Sequence, residues 1–341
     1  MADRYRKQVL FSGIGEPGQA RLREAHVTLI GCGALGTSIA DTLVRAGVGF
    51  LRIVDRDFVD LSNLQRQCLY DEQDVAGRLP KAMAAVRKLQ AINSDVTLEP
   101  RVLDVTSANI LELIDGADVI LDGTDNFEIR FLINDASVET GIPWIHAGCV
   151  GSQGQMMSIL PGKTPCLRCV MPEIPAPGTT QTCDTAGVIG PAVQIMAALQ
   201  CVDALKILTG QSELISSTMT VLDVWQGTWR KISLEKLRNA DCLCCGGSER
   251  LWLNGAAGVT SVVLCGRNSV QISPAAVTTL SLSQLSSRLS KMGTVRQTPF
   301  LLIFQPDQEN CEMTIFPDGR AIITGTEEIS MARTLYARFL G

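Results

Sequence analysis

Short apolar runs alternate with longer amphipathic stretches through the first 150 residues of the chain. The runs are typical of strands in a buried parallel sheet, and they cover residues 27–30, 50–55, 96–102, 117–121 and 143–150. The intervening stretches predict helices, at residues 37–49, 79–93, 109–115 and 127–140. Because strands and helices alternate in this way, the sequence predicts an α/β fold with a mostly parallel sheet.

The hydrophobic pattern changes after residue 150. Residues 150–160 and 217–234 alternate apolar and polar side chains and contain glycines, which is typical of antiparallel strands. A long apolar helix is predicted between them, at residues 188–208. These strands continue the parallel half into one mixed sheet, so the sequence predicts a single domain over residues 1–248. Residues 249–341 contain further strands and helices and predict a small C-terminal α/β domain, to which no chemistry is assigned.

Composition and charge limit the function classes. The chain has 341 residues, of which 46% are apolar, and a formal net charge of −5, so it lacks the basic character of a nucleic-acid-binding protein. It has no uninterrupted apolar run of about 18 residues and no signal-peptide core near its start, so we expect a cytoplasmic protein that does not span a membrane. Twelve cysteines in such a chain suggest metal binding or catalysis more than disulfides.

A glycine-rich turn follows the first strand. Gly31, Gly33 and Gly36 form a G-x-G-x-x-G pattern, which lets backbone N–H groups approach a phosphate at the start of the next helix. Asp55 ends the second strand, where a carboxylate binds a ribose hydroxyl in nucleotide-binding folds. The combination predicts a nucleotide site without naming the nucleotide.

The loop after Asp55 narrows the choice of nucleotide. It carries an acid, two amides and an arginine, namely Asp57, Asn63, Arg66 and Gln67. Such a set suits a triphosphate and its Mg²⁺, with Arg66 as a phosphate clamp. A nicotinamide-dependent dehydrogenase, which is an alternative in a different class, would leave most of these side chains unexplained.

Two other positions point at the same edge of the predicted sheet. Lys81 lies in the opening turn of the helix at 79–93, where its ammonium can reach phosphates bound at the glycine turn. Asp125 and Asn126 follow the strand at 117–121, beyond the carboxyl end at which ligands bind in α/β sheets. Asp125 is therefore placed to hold Mg²⁺. Either residue is also a candidate cap for the following helix, a role compatible with metal binding.

Two C-x-x-C pairs predict a structural metal site. Cys166 and Cys169 form the first pair, and Cys242 and Cys245 form the second, with Cys244 between them as an alternative ligand. Each pair can fill two vertices of a zinc tetrahedron, and four thiolates would leave no open position for catalysis. Buried or redox-active cysteines are the competing interpretation.

Cys183 is the candidate nucleophile. It lies in a segment rich in Pro, Gly and Thr, just before the long helix at 188–208, and a thiol near a helix N-terminus has a lowered pKa. A dispensable loop cysteine is the alternative. Four other cysteines are assigned to packing: Cys32, Cys68, Cys149 and Cys201.

The segments GCGALG and DRDFVDLSNLQRQ together resemble the signature of the ThiF/MoeB/HesA family. These bacterial E1-like enzymes adenylate the C-terminus of small ubiquitin-like sulfur carrier proteins. The resemblance implies a Rossmann-like, E1-type core, ATP and Mg²⁺ as cofactors and a structural zinc ion. It implies phosphate contacts for Lys81 and a metal-binding role for the D-G-T-D-N turn that contains Asp125 and Asn126.

The resemblance also bears on the cysteines and the N-terminus. Its register favours Cys242 and Cys245 over Cys244 as ligands, and some members link Cys183's counterpart covalently to the carrier. In relatives an arginine of the R-Y-x-R-Q element reaches across a homodimer to the partner's ATP. Here Lys7 stands at that position, and Arg6 is the alternative.

The implied reaction is ATP-dependent adenylation of the C-terminal glycine of a ThiS-like carrier, for sulfur transfer in thiamin (thiazole) biosynthesis. The same reaction on a MoaD-like carrier for molybdopterin synthesis, or on another ubiquitin-like or peptide C-terminus, stays open. A non-catalytic zinc scaffold that binds a ubiquitin-like tail is a further alternative. The implied partners are the carrier, a second copy of the chain, and a cysteine desulfurase or another sulfur donor.

Overall fold

The computed structural model describes residues 3–174, 186–255, 261–264, 268–273, 280–307 and 309–340. The chain divides into two compact units, residues 1–257 and residues 258–341. The predicted domain boundary lay at residue 248. Residues beyond it still pack on the first unit, because the Trp252 N–H donates to Asp135 Oδ2 at 2.9 Å and the indole ring lies 5.6 Å from the Phe131 ring.

One eight-stranded sheet forms the centre of the first unit, in the order β3-β2-β1-β4-β5-β6-β7-β8. Its strands are β1 (His26–Ile30), β2 (Phe50–Val54), β3 (Thr97–Arg101), β4 (Val119–Asp122), β5 (Trp144–Val150), β6 (Gln153–Ile159), β7 (Thr218–Asp223) and β8 (Thr228–Ser233). The pairs from β3 to β5 are parallel and those from β5 to β8 are antiparallel. The predicted α/β class with a mixed, mostly parallel sheet is therefore confirmed.

The strand order reverses at β1, which pairs with β2 on one side and β4 on the other. The connections out of β1 and β4 leave in opposite directions at this point, so a crevice opens at the carboxyl ends of these strands. Successive residues of β4 point into two different hydrophobic clusters, since Leu121 packs in one and Ile120 in the other. The centre of the sheet is thus covered on both faces, which explains why β1 and β4 are almost continuously apolar, whereas the edge strand β8 is exposed.

The helices of the first unit lie between the strands in the chain. The α-helices are α1 (Arg6–Val9), α2 (Gly15–Glu24), α3 (Ala34–Ala46), α4 (Glu72–Ala76), α5 (Lys81–Ile92), α6 (Ile110–Ile114), α7 (Phe127–Thr140), α8 (Leu167–Val170) and α9 (Gly190–Leu208). Four short 3-10 helices cover Asp3–Tyr5, Leu61–Asn63, Ser212–Leu214 and Glu235–Leu237. Helix α3 ends at Gly47, whose φ of +81° favours glycine and stops the helix.

Helix α9 is the one helix among the described residues that is long and apolar enough to cross a membrane by length and composition. Core helices of globular proteins pass the same test. Here Val193, Met196 and Ala197 are buried in the cluster that α9 shares with α3 and the sheet. The helix is therefore accounted for as part of the core.

The second unit contains a six-stranded antiparallel sheet in the order β11-β12-β13-β14-β10-β9. Its strands are β9 (Ser261–Leu264), β10 (Ser269–Ile272), β11 (Gly293–Gln297), β12 (Leu302–Pro306), β13 (Glu312–Ile315) and β14 (Ala321–Thr324). Its helices are α10 (Leu282–Leu289) and α11 (Ile329–Phe339). Apolar side chains of both helices, such as Leu289 and Phe339, pack with Phe304 of β12 in a separate core.

Candidate functional site

Three glycines bring the turn after β1 against the end of β4. Gly31 has a φ of +87°, and a Cβ there would lie 2.6 Å from the carbonyl carbon of Gly123. A Cβ on Gly36 would lie 2.1 Å from the Gly31 oxygen, and one on Gly123 would lie 2.2 Å from the same atom. The turn, the first helical turn of α3 and the loop after β4 therefore touch through backbone alone.

Gly33 has a different environment. A Cβ on it would meet nothing closer than Gln67 Nε2, at 3.8 Å. Gly33 is the N-cap of α3 and makes no side-chain cap hydrogen bond, so no side chain of its own covers the first N–H groups of the 13-residue helix. An anion can approach these N–H groups at the positive end of the helix dipole.

Asp55 ties the end of β2 to the glycine turn. Its Oδ2 accepts a hydrogen bond from the Cys32 N–H at 2.6 Å, and its Oδ1 accepts one from the Asp57 N–H at 2.7 Å. Burial raises the pKa of Asp55. Each carboxylate oxygen has a second lone pair, so a ribose hydroxyl can still donate to it. Burial also raises the pKa of the Cys32 thiol to about 12, which agrees with a packing role for that side chain.

The loop between β2 and α4 is held by its own side chains. Asp60 accepts from the Ser62 N–H, while Asn63 Oδ1 accepts from the Asp60 N–H at 3.2 Å. Gln67 is buried, and its Oε1 has no hydrogen-bond partner among the described residues. Arg66 is half-buried and donates to the Ser62 carbonyl at 2.9 Å. The loop thus fixes Asn63. The unpartnered Gln67 oxygen is an acceptor, so Gln67 would have to present its Nε2 donor, and Arg66 its remaining N–H groups, to an anionic ligand.

Lys81 is the first residue of α5 and is only 3% exposed. Its Nζ lies 3.0 Å from Asp57 Oδ2, and its backbone N–H donates to the Asp57 carbonyl at 2.8 Å. Tyr70 braces the same region, because its hydroxyl donates to the Cys32 carbonyl at 2.7 Å. A buried ammonium beside the glycine turn is a strong electrostatic partner for an anion.

The loop after β4 presents Asp125 and Asn126. Asn126 is the N-cap of α7, and its Oδ1 accepts from the Glu128 N–H at 2.7 Å. Asp125 is exposed at the same edge, one residue before the cap. The cap role that the sequence left open between these two residues therefore falls to Asn126, and among the described residues the Asp125 carboxylate makes no cap hydrogen bond to α7.

A buried ionic cluster lies beneath this loop, and sequence analysis did not identify it. Asp122, fully buried at the end of β4, lies 3.3 Å from Arg130 Nε and accepts a hydrogen bond from His146 Nδ1 at 2.7 Å. Burial raises the pKa of Asp122, but Arg130 and His146 outweigh burial and hold that pKa below its usual value. Burial lowers the pKa of His146. A neutral His146 thus orients an ionised Asp122, which in turn binds the backbone and side chain of Thr124.

The N-terminal residues lie away from this edge within one chain. Tyr5 packs against Gly47 at the far end of α3, about 20 Å along that helix from the glycine turn. Arg6 and Lys7 follow it in α1 and are exposed. The structure therefore does not bring them to the glycine turn of their own chain. Cys183, the candidate nucleophile, lies outside the described residues.

The two C-x-x-C pairs meet in space. The Sγ atoms of Cys166, Cys169, Cys242 and Cys245 all lie within 4.8 Å of one another, so the four residues could hold a metal ion. Burial raises the pKa of Cys242, but backbone N–H groups of Cys245 and Cys244 outweigh burial and lower that pKa to about 7. The pKa values of the other three thiols are raised: that of Cys166 by its interaction with Cys244 and by burial, and those of Cys169 and Cys245 mainly by burial. Cys242 is therefore the most readily deprotonated of the four, and a metal ion would have to displace the protons of the others.

Cys244 is not one of the four clustered thiols, although its side chain also interacts with that of Cys166. Its Sγ is fully buried against α7, where it accepts from Asn134 Nδ2 at 3.4 Å and donates to Asp135 Oδ1 at 3.4 Å. Asn134 also accepts from the Leu167 N–H at 2.7 Å, so one side chain holds both cysteine loops. Cys244 is thus held on α7 at the edge of the cluster, while Cys242 and Cys245 belong to the four-thiol group.

Comparisons with known proteins give the same picture. A model of the ThiF family matches residues 5–244. The chain is 44% identical over 342 aligned residues to the sulfur carrier protein ThiS adenylyltransferase of Bacillus subtilis, with 100% of both chains covered. It is 36% identical over 244 residues to the SAMP-activating enzyme E1 of Haloferax volcanii, covering 72% of this chain and 88% of that protein. A crystal structure of E. coli MccB with MccA-N7isoASN has a TM-score of 0.64 at 23% identity, covering 72% of this chain and 75% of that one.

The MccB likeness supports the E1-like fold, and the two relatives support the family. The B. subtilis relative is named an adenylyltransferase, which confirms the predicted enzyme class. Its alignment extends through the second unit, so the likeness is not limited to the nucleotide-binding half. The chain belongs to the ThiF family.

Proposed function

We propose that the chain uses ATP to adenylate the C-terminal carboxylate of a small, ThiS-like sulfur carrier protein, for sulfur transfer in thiamin (thiazole) biosynthesis. The observation that carries the proposal is the convergence of the glycine turn, Asp55 and the buried Lys81 at the switch point of the sheet. The full-length similarity to a B. subtilis relative with that name supports the choice of substrate.

The ATP phosphates would lie over the first turn of α3, with Asp55 on the ribose. The triphosphate would be surrounded by the positive charges of Lys81 and Arg66 and by the amide N–H donors of Asn63 and Gln67. Asp125, assisted by Asn126, would hold Mg²⁺, which neutralises phosphate charge when bound.

The reaction needs little acid–base chemistry from the protein. A carrier carboxylate oxygen attacks the α-phosphorus, the bond to the bridging oxygen breaks, and acyl-adenylate and pyrophosphate form. The attacking carboxylate is already ionised at neutral pH. Lys81 and Arg66 therefore contribute by holding the phosphates in line and by neutralising charge that develops on the leaving pyrophosphate.

We also propose that the four-cysteine cluster holds a structural Zn²⁺. Zinc–sulfur bonds of about 2.3 Å place the sulfurs of a tetrahedral site about 3.8 Å apart. The observed Sγ distances are 3.9 Å for Cys166–Cys169, 3.8 Å for Cys166–Cys242 and 3.4 Å for Cys169–Cys245. Four thiolates would fill the coordination sphere, so the ion would hold two loops together and take no part in the reaction.

The remaining assignments also belong to the proposal. The active form would be a cytoplasmic homodimer, in which Lys7 or Arg6 of one subunit reaches the ATP of the other, because neither lies near the glycine turn of its own chain. Cys183 would carry the later sulfur-transfer step, with a cysteine desulfurase or another sulfur donor as the source of sulfur.

The same adenylation on another carrier is the second candidate. The H. volcanii relative is named as an enzyme that activates SAMP, and porcine MOCS3, 38% identical over 243 residues, is named an adenylyltransferase and sulfurtransferase. Carrier-dependent ATP–pyrophosphate exchange, measured with purified ThiS-like and MoaD-like carriers, discriminates between them. Exchange with the ThiS-like carrier should exceed that with the MoaD-like carrier, and the reverse result would reassign the pathway.

Two substitutions test the adenylation itself. Arg66→Ala and Asp125→Ala should each lower carrier-dependent pyrophosphate exchange by at least about 100-fold, because each removes charge that acts on the phosphates. Far-UV circular dichroism and the content of bound metal should stay as in the wild type. Full exchange by either folded variant would contradict the assignment, and tight binding of NAD(H) in a fluorescence titration would favour a dehydrogenase instead.

A further inference from the structure

Arg56 has no role in the proposed reaction, yet it lies at the same edge of the sheet. It follows Asp55 directly at the end of β2, and its side chain is 19% exposed. Its Nη1 donates to Asp104 Oδ1 at 3.1 Å, in the loop after β3. Its Nε lies 3.9 Å from Asp57 Oδ1. The guanidinium therefore spans two carboxylates that come from different loops.

Asp57 in turn lies between two cations. Arg56 faces its Oδ1, while Lys81 Nζ lies 3.0 Å from its Oδ2. A row of alternating charge thus runs from the loop after β3 to the first residue of α5. Its members are Asp104, Arg56, Asp57 and Lys81. The two ends of this row differ in burial, since the Lys81 side chain is 4% exposed and that of Asp104 is 19% exposed.

Arg56 keeps its charge in this setting. Burial lowers the pKa of Arg56, but the carboxylates of Asp104, Asp57 and Asp125 outweigh burial and raise that pKa above its usual value. A guanidinium also offers several N–H donors in a fixed plane, so it can serve two carboxylates together. Its charge is therefore permanently available to Asp57.

Phosphate binding by Lys81 requires a change of partner. In the structure the ammonium pairs with Asp57 and also acts on the nearby Asp55, whereas the proposed function needs it on the triphosphate. A carboxylate that loses its cation in a poorly solvated site becomes an uncompensated charge, and this opposes the change. A second cation already placed on the other oxygen of Asp57 lowers that cost.

We propose that Arg56 is a positioning residue for phosphate binding: anchored on Asp104, it holds Asp57 so that Lys81 can turn from that carboxylate to the triphosphate. This inference rests on the proposed function, because a bound triphosphate is what gives Lys81 its second partner. It assigns Arg56, Asp57 and Asp104 to nucleotide affinity and gives Arg56 no contact with the nucleotide.

The test is a double-mutant cycle on the affinity for Mg-ATP, measured by calorimetry on the full-length, metal-loaded protein. Arg56→Ala should raise Kd about tenfold, because Asp57 loses the second cation that compensates its charge when Lys81 turns to the phosphates. In an Asp57→Asn background the same change should alter Kd by less than about threefold, since residue 57 then carries no charge for Arg56 to compensate. Equal effects in both backgrounds would show that Arg56 acts only through its overall charge, and would overturn the proposal.

Two further variants control for fold and charge. Arg56→Lys keeps the cation and should recover most of the affinity lost in Arg56→Ala; an affinity no better than that of the alanine variant would count against the proposal. If the alanine variant does not fold, Arg56→Gln, which removes the charge but keeps a polar side chain, replaces it in the cycle with the same expected changes in Kd. Arg45→Ala removes an exposed arginine that pairs with Asp41 on α3, and it should leave Kd unchanged.

The proposed function and the role of Arg56 are tested by different outcomes. A folded wild-type protein that binds no Mg-ATP would overturn the proposed function. Wild-type binding together with an unchanged Kd in Arg56→Ala would overturn only the role of Arg56 and leave the proposed function intact.

Discussion

Single residues at the glycine turn have separate structural and ligand-related roles. Gly36 is needed because a Cβ would lie 2.1 Å from the Gly31 oxygen, an atom of the backbone that cannot move independently. Gly33 belongs to the same motif, but a Cβ there would make only ordinary contacts, at 3.8 Å from Gln67 Nε2 and 3.9 Å from the Gly123 oxygen. The protein itself therefore does not require a glycine at this position, which agrees with the proposed close approach of a phosphate.

Alanine substitutions at these two glycines should therefore have different effects. Gly36→Ala should lower the free energy of unfolding by roughly 1–3 kcal/mol, because the turn and α3 must separate. Gly33→Ala should stay within about 1 kcal/mol of the wild type but weaken Mg-ATP binding, since its methyl group would occupy the path of the phosphate. Urea unfolding and calorimetric titration measure the two quantities. Equal losses of stability in both variants would contradict this division.

At the scale of elements, α7 connects the two candidate sites. It begins at Asn126, beside the proposed Mg²⁺ ligand, and carries Asn134 and Asp135 in its middle. Both side chains are fully buried and contact the cysteine loops, through Cys244 and the backbone of Trp252. The metal loops therefore dock on the same helix whose first turn shapes the nucleotide edge.

Asp135→Asn tests this docking. The amide places a donor where the carboxylate accepts the Trp252 N–H or the Cys244 thiol, so a buried group loses its partner. We expect a loss of about 1–3 kcal/mol in unfolding free energy and roughly 10–100-fold weaker retention of zinc against a chromophoric chelator.

Glu139→Gln is the matched control on the same helix. Glu139 pairs with Arg250 at 3.0 Å but is half exposed, so its loss should cost at most about 1 kcal/mol. Zinc retention should stay at the wild-type level. Similar zinc loss in both variants would show that α7 has no specific role in holding the cysteine loops.

At the scale of the whole molecule, the chain contains two units with separate hydrophobic cores. The four clustered cysteines all belong to the first unit, so a metal there restrains only that unit. The second unit depends on apolar packing between its sheet and its two helices. Metal loss should therefore affect the two units unequally.

Cys245→Ser should reduce bound zinc from one ion per chain to none, as measured by elemental analysis. In calorimetry the first unit should unfold at a lower temperature, because metal-binding energy contributes to its stability, while the transition of the second unit stays in place. Cys68→Ser, which changes an exposed cysteine outside the cluster, should keep its zinc. A wild-type zinc content in Cys245→Ser would remove this residue from the ligand set.

Features that depend only on residues close together in the chain could be predicted from the sequence alone. Strand and helix order follows from local hydrophobic periodicity, and the glycine turn follows from three positions within six residues. The mixed sheet could be predicted as well, because the alternation of apolar and polar residues after residue 150 is also a pattern of neighbouring residues. The family followed from contiguous signature segments, which is why it could be named before any contact was known.

Tertiary structure decided which side chains meet, because that depends on how distant segments pack and orient. Spacing could not choose between Cys244 and its neighbours, and the choice is made by α7, more than a hundred residues earlier in the chain. The Asp122–His146 contact joins two strands, and the Arg56–Asp104 pair joins two loops. Neither contact can therefore be predicted from a pattern of neighbouring residues in the sequence. Charges that compensate one another across a fold are visible only after the fold has brought them together.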